Sequence, residues 1–62
     1  MENNIKSVRE AKGITQYRLA KLTGIKQQTL SRYELNTRIP VYEYLLKIAA
    51  VLECKIEDIY KP

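Results

Sequence analysis

Residues 23 to 33, TGIKQQTLSRY, contain four polar side chains whose spacing places them on one face of a helix. They are Gln27, Gln28, Ser31 and Arg32. At 100° per residue they span an arc of about 140°, and Leu30 and Tyr33 fall on the opposite side. A glutamine amide pairs with adenine, an arginine with guanine, and a serine with either base. The set predicts a surface that reads base edges in DNA, and a solvated polar face is the alternative.

A helix-turn-helix unit is predicted to position this face. Thr15 is a favourable N-cap for its first helix, and Gly24 permits the positive φ that ends this helix near Thr23. Its second helix begins near Lys26 or Gln27, although a lysine offers the first turn no hydrogen-bond acceptor. The other residues of the unit are two staple pairs, Ile14 with Leu19 and Ile25 with Leu30, and the small Ala20.

Three further helices are predicted around this unit. The first follows Asn3 or Asn4 and ends at Gly13, a fourth follows Pro40, and a short fifth spans residues 56–60. The apolar stripe of the fourth helix consists of Tyr42, Leu45, Ile48, Ala49 and Leu52. No window shows the alternation typical of a strand, so strands are not expected. The predicted fold class is all-α, a compact bundle of five short helices.

The composition predicts one domain with a thin core, residues 1–62, because so short a chain buries only about 60% of its unfolded surface. The chain has one cysteine and no histidine, so an internal disulfide is impossible and the usual zinc spacings are absent. We therefore expect neither a metal nor another cofactor. An enzyme is not expected either. The chain has no histidine to act as a catalytic base, and its single aspartate, Asp58, is accompanied only by the adjacent Glu57.

Eleven Lys and Arg residues against seven Asp and Glu residues leave a net charge of +4. This excess suits an anionic partner such as double-stranded DNA, and it equally suits simple solubility. The N-terminus lacks a basic segment leading into an apolar stretch, and the longest aliphatic run covers only residues 48–52. Neither a signal peptide nor a membrane span is predicted, and a free cysteine then favours the reducing cytoplasm.

Four segments carry a resemblance to a known family, and the match as a whole extends over nearly the whole chain. They are TQYRLAKLTG (15–24), IKQQTLSRYE (25–34), LLKIAAVL (45–52) and IEDIY (56–60). The sequence resembles the phage Cro and repressor (Xre-type) helix-turn-helix family. This resemblance implies a lambda-repressor-like domain of five helices that binds double-stranded DNA as a homodimer and represses transcription.

The resemblance also implies roles for particular residues. Residues that match Gln27, Gln28 and Arg32 lie against base edges in the family, and Ser31 is a further candidate for base reading. Gln16 begins the second helix, where free N–H groups and the positive end of the helix dipole favour a phosphate. The full set of candidate phosphate-binding residues is Gln16, Tyr17, Lys26, Thr29, Asn36, Thr37 and Arg38.

Other positions are expected to be structural. The family often keeps an ion pair where this chain has Arg9 and Glu34. Asn36 stands where the family commonly has glycine, so left-handed backbone is expected there. Glu53 replaces a usual glycine, and Lys55 replaces a usual small polar cap, so the C-terminal turn is expected to be built differently.

The C-terminal part of the chain contains a candidate dimer surface, since the family often dimerises through this part. It consists of Tyr44, Val51, Ile56 and Ile59. Tyr44 and Val51 lie outside the main apolar stripe of the fourth helix, and Ile56 and Ile59 come after that helix. Tyr33 and Tyr60 are expected in the core. Cys54 is also expected in the core, because a redox-sensing thiol needs an exposed thiolate.

Two alternatives to a repressor remain at this point. An antitoxin or another protein-interaction module of the same fold would bind DNA only secondarily. Such antitoxins usually carry an extra segment, whereas this sequence stops two residues after the fifth predicted helix. The same shortness leaves no room for a sensor domain, so a small-molecule ligand is not expected.

Overall fold

The computed structural model describes residues 2–61, and it confirms the all-α class. The five helices are α1 (Ile5–Ala11), α2 (Gln16–Thr23), α3 (Gln27–Glu34), α4 (Tyr42–Leu52) and α5 (Ile56–Ile59). Within residues 2–61, no helix is long and apolar enough to cross a membrane.

A short strand pair joins the two ends of the described chain, and the sequence did not predict it. Strand β1 (Glu2–Asn3) pairs antiparallel with β2 (Tyr60–Lys61), and Asn3 lies opposite Tyr60. Two residues cannot show an alternating pattern, so the sequence carried no strand signal. The expected fifth helix consequently ends one residue earlier, because Tyr60 has extended backbone.

The helix-turn-helix unit forms at the predicted boundaries. Thr15 caps α2, since its Oγ1 accepts a hydrogen bond from the Arg18 backbone N–H at 3.1 Å. Gly24 ends α2 with φ +76°. Lys26 is the N-cap residue of α3, and its side chain makes no capping hydrogen bond. The start of α3 is therefore held by packing rather than by a side-chain cap.

A buried threonine organises the turn between α2 and α3. The Thr23 hydroxyl donates to the Leu19 carbonyl at 2.8 Å and accepts from the Ile25 backbone N–H at 3.2 Å. One side chain thus satisfies backbone groups at the end of α2 and in the turn. The sequence interpretation missed this role, although a threonine directly before Gly24, between the apolar Leu22 and Ile25, was a signal.

The core lies between the helices and fixes the back of α3. Its buried residues are Ile5, Leu19, Ile25, Leu30, Tyr33, Leu45, Ile48, Ala49, Leu52 and Ile59. Leu30 and Tyr33 belong to α3, and they are no more than 2% exposed. Since α3 is anchored by these two side chains, its opposite face points into solvent.

The prediction of a dimer surface is wrong for one of its four residues, and the other three residues are mostly covered. Ile59 is fully buried in the core, so it contributes to no exposed patch. Tyr44, Val51 and Ile56 are half-buried and pack against the core. The physical reason is that α4 is packed by both α2 and α5, which together cover more of α4 than one apolar stripe.

Within residues 2–61, two non-glycine residues adopt left-handed backbone. Asn36 has φ +60°, as expected from its place in the sequence, and Glu53 ends α4 with φ +55°. In the following turn the Lys55 backbone N–H donates to the Asp58 carboxylate at 3.0 Å. The first turn of α5 is thus held by an acidic side chain within the helix, which replaces the small polar cap.

Candidate nucleic-acid interface

The polar face of α3 is presented to solvent as the spacing predicted. Gln27, Gln28 and Arg32 are exposed, and Ser31 is half-buried. All four lie on the side of α3 that faces away from the core. The structure therefore brings the four predicted base-reading side chains together on one helical surface about 8 Å long, given the rise of 1.5 Å per residue.

Gln27 is the one member of this face whose side chain is held by another side chain. Its Nε2 donates a hydrogen bond to Oε1 of Gln16 at 3.3 Å. Nε2 of Gln16 in turn donates to Oε1 of Glu34 at 3.2 Å. The first residue of α2 therefore connects the first residue of α3 to the last.

Glu34 is itself fixed by the predicted ion pair with Arg9. Nε of Arg9 donates to Oε2 of Glu34 at 2.8 Å, and Nη2 donates to Oε1 at 3.1 Å. The two side chains are only 10% and 4% exposed, and Nη1 of Arg9 donates to the Ile14 carbonyl at 2.8 Å. The hydrogen bond to Glu34 raises the pKa of Arg9 above its ordinary value, so the guanidinium stays charged.

These bonds form a chain of four side chains, Arg9, Glu34, Gln16 and Gln27, that runs from the interior to the reading face. The sequence interpretation contained its first pair but not the links through Gln16. Nothing in the spacing of two glutamines eleven residues apart shows that their amides meet. The crossing of α2 and α3 decides that contact.

A first groove, of about 380 Å³, lies between α2 and the start of α3. Tyr17, Lys26 and Gln27 line it, and so does Lys21, which the sequence interpretation did not single out. The Lys21 ammonium lies 5.6 Å from the centre of the Tyr17 ring, a cation–π contact. The spacing of four residues between Tyr17 and Lys21 on one helix was the available signal.

Three further candidate phosphate-binding residues lie at the other end of α3. Asn36, Thr37 and Arg38 are exposed in the loop that follows this helix. The Thr37 hydroxyl donates to the Arg32 carbonyl at 3.2 Å, so it also closes the end of α3. Arg38 lines a second groove together with the half-buried Thr29. Most of the predicted phosphate-binding set is thus divided into two groups, one at each end of α3, and Thr29 lies in the first turn of that helix.

Comparison with known proteins gives a consistent result. The profile of a helix-turn-helix family (HTH_3) matches residues 5–59, which include all five helices. The chain is 33% identical over 58 residues to the uncharacterized HTH-type transcriptional regulator YqaE of Bacillus subtilis. That alignment covers 94% of this chain and 50% of YqaE, so this chain spans half the length of that relative.

Two other relatives match over a larger share of their own length. The SPbeta prophage-derived regulator YopS of Bacillus subtilis is 41% identical over 51 residues, which are 81% of this chain and 69% of YopS. The regulator MJ0272 of Methanocaldococcus jannaschii is 37% identical over 60 residues, which are 97% of this chain and 91% of MJ0272. All three are described as HTH-type transcriptional regulators, a non-enzymatic class of protein. The chain therefore belongs to the Xre-type helix-turn-helix family of DNA-binding transcriptional regulators.

Proposed function

We propose that this chain is a cytoplasmic repressor that binds a pseudo-palindromic operator as a homodimer. Helix α3 of each copy enters the major groove, and the two helices bind half-sites about 34 to 36 Å apart. The observation that carries this proposal is the fixed amide of Gln27 on an otherwise solvent-facing helix. This contact orients the Gln27 amide on the face of α3 that points into solvent, which is what a base-reading side chain requires.

The hydrogen bond to Gln16 also selects the base that Gln27 reads. The Gln27 amide has two N–H groups and one carbonyl oxygen, and one N–H is directed to Gln16. The second N–H and the oxygen remain, which match the N7 acceptor and N6 donor of adenine. We therefore assign adenine to Gln27.

The other three side chains of the face complete the reading surface. Arg32 is exposed and reads guanine through its two parallel donors. Gln28 has no side-chain anchor among the described hydrogen bonds, so its base is less strictly selected. Ser31 is half-buried and lies between Gln27 and Arg32 on this surface, where its hydroxyl is the fourth base-reading group.

The two groups of basic and polar residues at the ends of α3 bind the DNA backbone on either side of the bases. Lys26 and Tyr17 act at the first groove and Arg38 at the loop, with help from Gln16, Thr29, Asn36 and Thr37. We add Lys21 to this set, because its ammonium lies over Tyr17 in the same groove as Lys26. The net charge of +4 supports association with a polyanion.

Selection of bound sequences from a random pool of duplex DNA tests this proposal, because it returns both the preferred bases and the half-site spacing. Gln27→Ala is then expected to cost about 1 to 3 kcal/mol at one base pair and to relax the preference there. Arg38→Ala is the matched control, since a backbone contact weakens binding to all sequences alike.

Salt dependence supplies an independent criterion. The logarithm of the affinity is expected to fall with the logarithm of salt concentration by about 0.9 per phosphate neutralised. An affinity that does not change with salt would exclude DNA as the partner. Transcription from a promoter that contains the selected operator then separates repression from activation, and increased transcript would contradict the repressor assignment.

A further inference from the structure

The exposed large apolar side chains of the described chain are concentrated in one segment. Five of the seven lie within residues 35–46. They are Leu35, Ile39, Val41, Tyr42 and Leu46. Single exposed apolar residues are normal, whereas a cluster of them marks a contact surface.

Part of this cluster forms a regular feature on α4. Tyr42, Leu46 and Ala50 follow one another at intervals of four residues, so they lie on one side of the helix. Tyr42 is 65% exposed and Leu46 is 47% exposed, and Ala50 is exposed as well. We call these three residues the α4 stripe. It runs beside the buried stripe of Leu45, Ile48, Ala49 and Leu52, so the core is complete without it.

We propose that the α4 stripe is the contact surface between two copies of this chain, whose α4 helices pack antiparallel about a two-fold axis at Leu46. The proposal rests on the homodimer proposed above and names its interface. A two-fold interface uses the same surface on both copies, so that surface must be complementary to itself. The α4 stripe meets this condition in size and in charge.

The sizes of the three side chains match when the stripe is reversed. An axis at Leu46 places Tyr42 of one copy opposite Ala50 of the other, and the two Leu46 side chains meet at the centre. The large ring therefore faces the small methyl group at both ends. A parallel pairing would instead set Tyr42 against Tyr42 and leave a gap at Ala50.

The charges beside the stripe also match. Glu43 and Lys47 are exposed on the same flank of α4. In the antiparallel arrangement Glu43 lies opposite position 49 of the second copy, and Lys47 of that copy is two residues away. Two residues correspond to about 3 Å along the helix. The Lys47 ammonium lies 5.7 Å from the centre of the Tyr44 ring in the single chain, so it exchanges this contact for the opposite carboxylate when the dimer forms. The stripe is only about 12 Å long, so the dimer is expected to be weak in free solution and to be completed on the operator.

The first test is sedimentation equilibrium of the full chain, alone and with operator duplex, over a range of protein concentrations. Leu46→Glu is expected to raise the dimer dissociation constant at least tenfold, since it sets two carboxylates against each other at the axis. Leu22→Glu is the matched control, because Leu22 is 50% exposed on α2 and lies outside the stripe. Circular dichroism checks that both variants fold. A dimer that survives Leu46→Glu, or that Leu22→Glu weakens equally, overturns the proposal.

The second test locates the axis. Leu46→Cys in a Cys54→Ser background is expected to form a covalent dimer with oxidised glutathione at least ten times faster than Leu22→Cys in the same background. The two thiols at the axis are oxidised to a disulfide, and glutathione is reduced. Equal rates overturn the proposed axis.

These results separate the interface from the proposed function. A wild-type chain that is monomeric both alone and on the duplex overturns the interface. This holds if the monomer binds one half-site specifically, and it holds equally if a different protein binds the stripe. A dimer that depends on Leu46 but binds no DNA sequence specifically supports the interface and contradicts the operator-binding function alone.

Discussion

The side-chain amide of Gln27 donates a hydrogen bond to the side-chain oxygen of Gln16 at 3.3 Å, which joins the first residues of α3 and α2. Gln16 is held in turn by Glu34 at 3.2 Å. An exposed glutamine normally samples several rotamers, and ordering it on DNA costs conformational entropy. The contact with Gln16 reduces that cost before DNA is bound, so the two residues are expected to act as a unit.

Gln16→Ala is therefore expected to relax the base preference at the position read by Gln27, in addition to weakening binding. A double-mutant cycle with Gln27→Ala should give a coupling energy of about 1 kcal/mol, since residues in contact are not additive. The measurement is the affinity for the operator and for its single-base variants. The base pair read by Gln28 is the control. If Gln16→Ala weakened every sequence equally, Gln16 would be a phosphate contact alone.

Glu34→Ala is expected to lower the free energy of unfolding by about 3 kcal/mol, because it leaves the nearly buried Arg9 guanidinium without its counter-charge. Urea unfolding followed by circular dichroism measures the change. Glu10→Ala is the matched control, since Glu10 is exposed on α1 and acts on Arg9 only through its charge, without a hydrogen bond, so its loss should cost much less. Equal effects of the two substitutions would show that the ion pair adds no stability.

Lys26→Ser is expected to improve stability and impair DNA binding at the same time. A serine at the N-cap of α3 accepts a hydrogen bond that lysine cannot, which adds about 1 kcal/mol to the free energy of unfolding. Loss of the ammonium removes one phosphate contact and lowers the salt slope by about 0.9. Thr15→Ala provides the opposite comparison, because it removes an existing cap and should cost about 1 kcal/mol. An unchanged salt slope would remove Lys26 from the DNA interface.

Glu53→Gly is expected to raise the free energy of unfolding by about 1 kcal/mol, since glutamate at φ +55° carries a steric cost that glycine does not. Asn36→Gly should give a smaller gain at φ +60°, because asparagine tolerates left-handed backbone better than glutamate. Thermal unfolding of both variants gives the comparison. A loss of stability in Glu53→Gly would show that the glutamate side chain makes a compensating contact.

Cys54 is expected to react slowly with iodoacetamide in the folded chain. Burial raises the pKa of the Cys54 thiol, and the nearby Asp58 carboxylate raises it further, so less thiolate is present at mildly alkaline pH. The alkylation rate should therefore increase when the chain is unfolded in urea and should rise with pH in both states. A folded chain that reacts as fast as the unfolded one would restore the redox-sensor alternative for this cysteine.

The helices of the reading unit were predictable because their signals are local. The cap at Thr15, the glycine at position 24 and the apolar anchors Leu30 and Tyr33 act within a few residues of where they stand. The direction of the polar face follows from these anchors through helical geometry alone. The ion pair of Arg9 with Glu34 was accessible only through the family resemblance, because it joins residues 25 positions apart.

Features that depend on how helices cross were decided by the tertiary structure alone. Helix α5 has four residues, too few for a periodic pattern, so the burial of Ile59 is set by the turn at Glu53 and by packing on the core. The meeting of Gln16 with Gln27 and the exposure of the α4 stripe arise in the same way. By itself the sequence determined which residues face outward on α3, since that is a property of one helix. Only the packing of several helices determined which of these side chains is held in place.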